Sequence, residues 1–286
     1  MAAPFREGMT MPRKPLVGFA LCLLSASAFA RSAFAWDEPD LVEIYSIDFE
    51  PAAANLAMSS NVFIPRKDSC NEGNGRTCES LIGNTVADAL RATYGTDLAI
   101  QNSGGLRADL TCPIVDIPTD NCPAYVPPPY PIMGSQVSII LPFANLIVTL
   151  DITGLGLKAM LENGVSQMPS PAGRFPQVSG LCFTYDIALT PGARVVSAVR
   201  QAGDGSCTGA VIALNSGAVT YSLAMPSFIA AGGDGYPDFT GRFVHFGRDD
   251  VVVADYLLAN VPFTPTLQGR VACTSSGATP CPVIAP

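Results

Sequence analysis

Two glycine-rich turns carry the side chains best placed for chemistry. In the first, Asn102-Ser-Gly-Gly-Leu-Arg107, Gly104 and Gly105 let backbone N–H groups approach a ligand closely. Arg107 adds a planar fork of five donors suited to oxygen acceptors. In the second, Ala230-Ala-Gly-Gly-Asp-Gly-Tyr236, three glycines surround Asp234 and present its carboxylate from a tight turn. Such turns alone are more often only structural, and neither is a phosphate-binding P-loop, because the Lys-Ser/Thr ending is missing. The one histidine, His245, stands apart in Arg242-Phe-Val-His-Phe246, a strand-like stretch that reads as structural or exposed. A single imidazole excludes a His-rich metal centre.

Eight of the nine cysteines fall in near couples: Cys70/Cys78, Cys112/Cys122, Cys182/Cys207 and Cys273/Cys281. Eight cysteines allow 105 pairings, so the connectivity stays open. Neighbour pairing closes the shortest loops at the lowest entropy cost and is the expected arrangement. A zinc site is the rival, but no CxxC occurs and the histidine is distant. Disulfides imply an oxidising compartment.

The ninth cysteine, Cys22, lies in an apolar run, Leu16–Ala30, behind Arg13 and Lys14. Ala28-Phe-Ala30 and Ala33-Phe-Ala35 follow as small-residue cleavage patterns. Residues 1–35 therefore read as a secretory signal peptide, with a retained anchor as the alternative. The expected location is secreted or periplasmic. Removing Arg6, Arg13, Lys14 and Arg31 together with Glu7 takes the net charge from −8 to about −11. That acidity argues against binding a nucleic-acid duplex. No later apolar run approaches a membrane span.

These residues need elements to hold them. Strands are expected at Leu41–Ile47, Asp97–Gln101, Leu146–Ile152, Leu181–Ile187, Val195–Arg200 and Val219–Ala224. Helical spacing predicts helices over Glu79–Tyr94, ended by Gly95, and from an N-cap at Thr153 to Gly164. A last helix covers Asp249–Leu258, with Asp249 or Asp250 as N-cap. Residues 65–77 form a polar turn region and Val137–Leu141 is an apolar run. Residues 112–131, with seven prolines, form an irregular Cys-bounded loop. The order lacks strict βαβ alternation, which favours an α+β fold of layered mixed sheets and helices stapled by disulfides. One domain is expected over 36–262, with 112–131 inserted in it and a Pro/Ser/Thr-rich tail at 263–286.

Six segments in this order carry a resemblance: Glu79-x-x-x-Gly-Asn-x-x-Ala-Asp-Ala-Leu90, Asp97-x-Ala-Ile-x-Asn-Ser-Gly-Gly-Leu-Arg107, Leu141-Pro-Phe-x-Asn145, Thr153-Gly154, Phe175-Pro-Gln-Val-Ser-Gly-Leu181 and Phe228-x-Ala-x-Gly-Gly-Asp-Gly-Tyr236. Together they resemble the C-terminal, substrate-binding domain of the 5′-nucleotidase and UDP-sugar hydrolase family. The match runs over roughly residues 41–260. The resemblance implies that Phe143 and Phe228 sandwich a base and that Asn102 bonds its edge. It implies that Arg107 and Asp234 reach the ribose hydroxyls or a nearby phosphate, with Arg76 as a further substrate arginine. Taken without it, the two phenylalanines read as core residues. Glu79 and Asp88 read as caps or structural hydrogen-bonders.

In that family the chemistry belongs to another, N-terminal domain that binds two divalent metals. Its D-x-H, G-N-H-D/E and G-H-x-H signatures do not occur in this sequence. The resemblance therefore implies no cofactor on this chain and a nucleoside or nucleotide as its ligand. Three readings follow: a binding protein that is not hydrolytic alone, a subunit completed by a separate metallophosphatase chain, or an extracellular interaction module. Thirty-five residues separate Arg107 from Phe143, so the loop 112–131 is expected to form a rim or lid over the base.

Overall fold

The computed structural model describes residues 58–285, so the targeting segment and the strand expected at Leu41–Ile47 lie outside the described residues. In chain order the elements are β1 (Met58–Ser60), α1 (Leu81–Tyr94), β2 (Leu98–Asn102), β3 (Tyr130–Ile132), α2 (Gly134–Ile140), β4 (Leu146–Thr153), α3 (Gly154–Val165), β5 (Pro176–Ser179), β6 (Leu181–Asp186), β7 (Val195–Arg200), β8 (Thr220–Pro226), α4 (Ser227–Ala230), β9 (Val244–Arg248), α5 (Asp249–Ala259) and β10 (Val271–Thr274).

Helix α1 starts two residues later than the spacing predicts. Ser80 is its N-cap: the hydroxyl accepts from Gly83 N at 3.0 Å and satisfies one of the free donors of the first turn. Gly95 closes it in the left-handed conformation, at φ 60°. Thr153 caps α3 by accepting from Gly156 N. The cap expected for α5 is different. Arg248 occupies the N-cap position, and Asp249 and Asp250 sit inside the first turn, where the helix dipole favours their charge. The apolar run at 137–141 belongs to α2, and Pro176–Ser179 is a strand within a segment read only as a motif.

Five strands form the central sheet in the order β5-β2-β8-β4-β9. Strands β2 and β8 run parallel, and every other neighbouring pair is antiparallel. Alternation along the strands divides their side chains between two faces. Leu98, Ile100, Val148, Leu150, Leu223 and Met225 face one core, shared with Leu157, Met160 and Leu161 of α3 and Phe183 and Tyr185 of β6. Ala99, Ile147 and Ala224 face the other way, against Leu90 of α1 and Val252 of α5. The result is layered: helices α1 and α5, the sheet, then α3 with a three-stranded sheet ordered β10-β6-β7.

The four near couples of cysteines are the four disulfides: Cys70–Cys78, Cys112–Cys122, Cys182–Cys207 and Cys273–Cys281. Cys182–Cys207 closes the longest loop, with a sequence separation of 25, and ties the chain beyond β7 back to β6. Residues beyond 262 are tied into the body. Strand β10 pairs parallel with β6. Glu79, buried just before α1, accepts from Gln268 N at 2.8 Å and Arg270 N at 2.9 Å. The buried Arg270 guanidinium grips Asp88 with two bonds of 2.8 and 2.7 Å. Glu79 and Asp88 are thus structural hydrogen-bonders, as their place in the helix motif suggests.

Candidate functional site

The parallel pair sets one end of the central sheet as a place for a ligand. Strands β2 and β8 both end there, and antiparallel β4 starts there. Ligands in open sheets bind beyond the carboxyl ends of such strands, where the chain turns away and leaves a crevice. Asn102 is the last residue of β2. Phe228 lies two residues past the end of β8, and Phe143 three residues before the start of β4, whose Ile147 pairs with Pro226 of β8. Asn102 also faces Pro176, the first residue of β5, which brings Gly173 to the same end.

A cavity of about 630 Å³ opens here, lined by Arg76, Asn102, Gly104, Gly105, Arg107, Phe143, Asn145, Gly173, Phe228 and Asp234. All six candidate site residues singled out from the sequence stand along it. Phe143 is 59% exposed and Phe228 47%, which removes them from the core. Exposed phenylalanines that line a cavity offer flat apolar faces for stacking.

Glycines make the geometry. A side chain at Gly104 would meet Gly173 Cα at 3.0 Å and the Asp234 carboxylate at 3.3 Å, so its absence lets the two turns touch. Gly233 leaves the space that the Phe228 ring fills; a Cβ there would stand 2.6 Å from that ring. Asp234 itself has φ 55°, a left-handed conformation that costs a non-glycine residue energy and is held by its surroundings. Its carboxylate accepts from Asn102 Nδ2 at 2.7 Å. The turn is pinned next door, where the buried Tyr236 hydroxyl donates to Arg174 O at 2.7 Å. Burial, and then the charge of Asp234, raise that phenol above its ordinary value.

Positive charge also gathers along the cavity. Arg107 lies over Phe143, its guanidinium carbon 5.8 Å from the ring centroid, within cation–π range. Arg76 Nε is buried, and no acceptor reaches it among the described residues. A buried donor without a partner costs about 1–3 kcal/mol, a cost that a ligand oxygen would remove. Arg66 stands behind them, its Nε donating to Leu106 O at 3.1 Å. Burial holds its guanidinium below the ordinary value, followed by the charges of Arg107 and Arg76.

Sequence reasoning missed Arg66, Asn145 and Gly173. Asn145 is visible in Leu141-Pro-Phe-x-Asn145, but the motif alone assigns it no role. Gly173 and Arg66 carry no local signal, since only the fold brings them here. The loop 112–131 corrects an expectation: none of its residues lines the cavity. Its end, β3, pairs with β1, and Tyr125 packs on Tyr130 and donates to Cys112 O, so it folds upon itself. The eight paired cysteines also stand outside the cavity lining. Cys207 is half-buried in the loop after β7, disulfide-bonded to Cys182, with its sulfur 3.5 Å from the carbonyl oxygens of Gln268 and Gly269. It staples that loop beside the chain leading into β10. His245 does not line the cavity and sits exposed on β9 against Phe243. Among the described residues, no three His, Cys, Asp or Glu side chains gather to hold a metal ion.

Fold and cavity define a ligand-holding domain with an aromatic and arginine-lined cleft at its strand ends. The chain belongs to the 5′-nucleotidase, C-terminal domain family, whose model matches residues 57–241. It is 32% identical over 169 residues to the trifunctional nucleotide phosphoesterase protein YfkN of Bacillus subtilis, covering 58% of this chain and 10% of that protein. It is 30% identical to the snake venom 5′-nucleotidase of Crotalus adamanteus, covering 72% of this chain and 33% of the venom protein. The 5′-nucleotidase precursor of Thermus thermophilus has a similar structure, with TM-score 0.61 and 30% identity over 77% of this chain and 39% of that one. The chain thus spans a tenth to about a third of the length of these curated relatives.

Proposed function

We propose that the cavity binds a nucleoside or nucleotide, with the base between Phe143 and Phe228 and the sugar and phosphate toward Asp234, Arg107 and Arg76. The observation that carries this is the meeting of two exposed phenylalanines, one carboxylate and an unpartnered buried guanidinium N–H around one cavity. Stacking on an aromatic face is worth about 1–3 kcal/mol per base and accepts any base. Asp234 can accept from ribose hydroxyls. Arg76 and Arg107 supply donors matched to phosphate oxygens. Asn102 keeps one amide hydrogen beyond its bond to Asp234, which it can offer to the base or the ribose.

This domain binds without hydrolysing; hydrolysis awaits a metal-bearing domain, on another chain or on further sequence. The support is chemical: the single histidine lies outside the cavity, and the one carboxylate lining it is bonded to Asn102. The four disulfides fit an oxidising compartment, and secretion through residues 1–35 is part of the same proposal.

Calorimetric titration with adenosine and AMP tests the reading, with the Phe143→Ala/Phe228→Ala double variant as control and phosphate release assayed with added Mn²⁺. Binding that the double variant loses, without phosphate release, is expected. No binding at millimolar ligand overturns the pocket and leaves the interaction-module reading. Phosphate release that survives purification overturns the non-hydrolytic part.

A further inference from the structure

Asn145 lines the cavity two residues after Phe143. Between them Ala144 has φ 49°, so a left-handed residue turns the chain where stacking ring and amide meet. The Asn145 amide is held from behind. Its Nδ2 donates to Asp249 Oδ2 at 3.3 Å, and its backbone carbonyl accepts from Asp249 N at 2.9 Å. Asp249 is only 1% exposed, and its other oxygen accepts from Asp250 N at 2.9 Å. An ionised carboxylate only accepts, so it fixes which end of the amide faces it. Among the described residues no donor reaches Asn145 Oδ1, and that oxygen is left for the cavity.

We infer that Asp249 is a positioning residue that turns the Asn145 carbonyl toward the base and so selects bases with an exocyclic amino group, such as adenine, over their oxo counterparts. The inference rests on the nucleoside reading above. The amino group projects furthest from the ring, so it is the donor a single side-chain acceptor reaches first. An oxo group there would set two lone pairs against each other and leave Asn145 Oδ1 unpaired. The variant Asp249→Asn makes a sharp test. Its Oδ1 stays on Asp250 N–H, which leaves an NH₂ facing Asn145 where an acceptor stood. Asn145 must then turn its oxygen inward and offer its own NH₂ to the cavity. The preference reverses.

Protonating Asp249 does the same, because its new O–H donates to Asn145. The groups around it leave that step to Asp249. Asp250 is held by Arg248 at 2.7 and 3.0 Å and by Ser138 of α2. Strand β9 adds Arg248 and exposed His245, α1 adds Tyr94 beside Gly247, and α2 and β1 carry no titratable side chain.

The experiment is calorimetric titration of the full chain with adenosine and inosine at pH 7.5 and pH 5, using the wild type, Asp249→Asn and Asn145→Leu. The wild type is expected to favour adenosine about tenfold at pH 7.5, the worth of one good hydrogen bond, and to lose that preference at pH 5. Asp249→Asn is expected to favour inosine at both pH values. Asn145→Leu, which keeps Asp249, is expected to bind both equally. Equal binding of both purines by the wild type, or an inosine preference in it, overturns the inference and leaves the nucleoside reading standing. If Asp249→Asn does not fold, an adenosine preference in the wild type that is unchanged from pH 7.5 to 5 overturns it. Binding of neither purine overturns the reading and the inference together.

Discussion

Replacing Gly233 with alanine tests whether the Phe228 ring is seated by the turn beneath it. The added Cβ would stand 2.6 Å from ring atoms Cε2 and Cζ and 2.6 Å from the Phe228 carbonyl oxygen. Real contacts of that kind need about 3.4 Å or more, so something must move by most of an ångström. The ring is half exposed and can swing, whereas the carbonyl belongs to the backbone of α4. A displaced ring loses its share of base stacking, about 1–3 kcal/mol, or roughly 5- to 150-fold in affinity. The backbone contact adds an overpacking cost of about 1–3 kcal/mol to stability. Calorimetric affinity for adenosine reads the first effect and thermal unfolding the second. Phe228→Ala completes a double-mutant cycle. If Gly233→Ala acts through the ring, it weakens binding in the wild type and changes little once the ring is gone. Equal losses in both backgrounds would refute the seating argument.

Other consequences follow from buried groups. Burial, opposed by hydrogen bonds from Asn145 and Asp250 N–H, pushes the Asp249 carboxyl up to about 6. An unfolded chain releases that proton near pH 4, so the group weakens folding as pH rises from about 4 to 6. The gap corresponds to about 3 kcal/mol, and Asp249→Asn is expected to flatten the denaturant-measured stability profile over that range; a profile unchanged by the variant would count against a protonated, buried Asp249. Arg270→Met removes a guanidinium that is 3% exposed and bonded to Asp88, and the broken pair is expected to cost about 3 kcal/mol, seen as a drop of roughly 6–12 °C in Tm. Replacing Cys112 and Cys122 with serine opens a loop of sequence separation 10 and is expected to cost roughly 3 kcal/mol of stability. Adenosine affinity should stay the same, because that loop does not line the cavity; weakened binding in the folded variant would restore the lid expected from sequence.

The sequence was most legible where local chemistry decides. Gly95 and Thr153 mark helix ends because each satisfies a backbone need of its own turn. The cysteine couples are the disulfides because short loops close most readily. Arg107 and Asp234 stood out by their own chemistry in glycine-rich turns, whereas Phe143, Phe228, Asn102 and Arg76 were assigned roles only through the resemblance. Composition alone would have sent Phe143 and Phe228 to the core. What stayed hidden depends on distant pairing. Pro176–Ser179 is a strand only because β2 lies beside it, and its Gln177 holds the site from below. That buried side chain accepts from Ser80 N at 3.0 Å and donates to Cys78 O at 2.9 Å and to Ser103 Oγ at 3.2 Å. The Pro/Ser/Thr-rich texture after Pro262 gives no hint that Arg270 will be buried against Asp88, 182 residues away in sequence. The α5 cap misled because aspartate is favoured both at an N-cap and in the first turn.

The charge of the site runs against the charge of the chain. The sequence carries 24 acidic against 16 basic residues, yet the cavity lining holds two arginines and one carboxylate, with Arg66 behind them. Exposed charges beyond about 8 Å are screened at physiological salt, so the distant acidity reaches the cavity weakly. The three guanidinium groups feel one another, since Arg107 and Arg76 help hold Arg66 below its ordinary value. Gathering like charges weakens folding, and no packing need explains it. Among the described residues, two of the three non-glycine residues with left-handed backbone, Ala144 and Asp234, border the same cavity or stand between residues that line it. The third, Asn71, is of a type that tolerates the conformation and lies in the Cys70–Cys78 turn. Local costs that converge on one cleft mark a site kept for a ligand. An anion there would give Arg76 Nε its missing acceptor and offset the repulsion among the arginines, so the features that weaken the empty domain are the ones that would strengthen its complex.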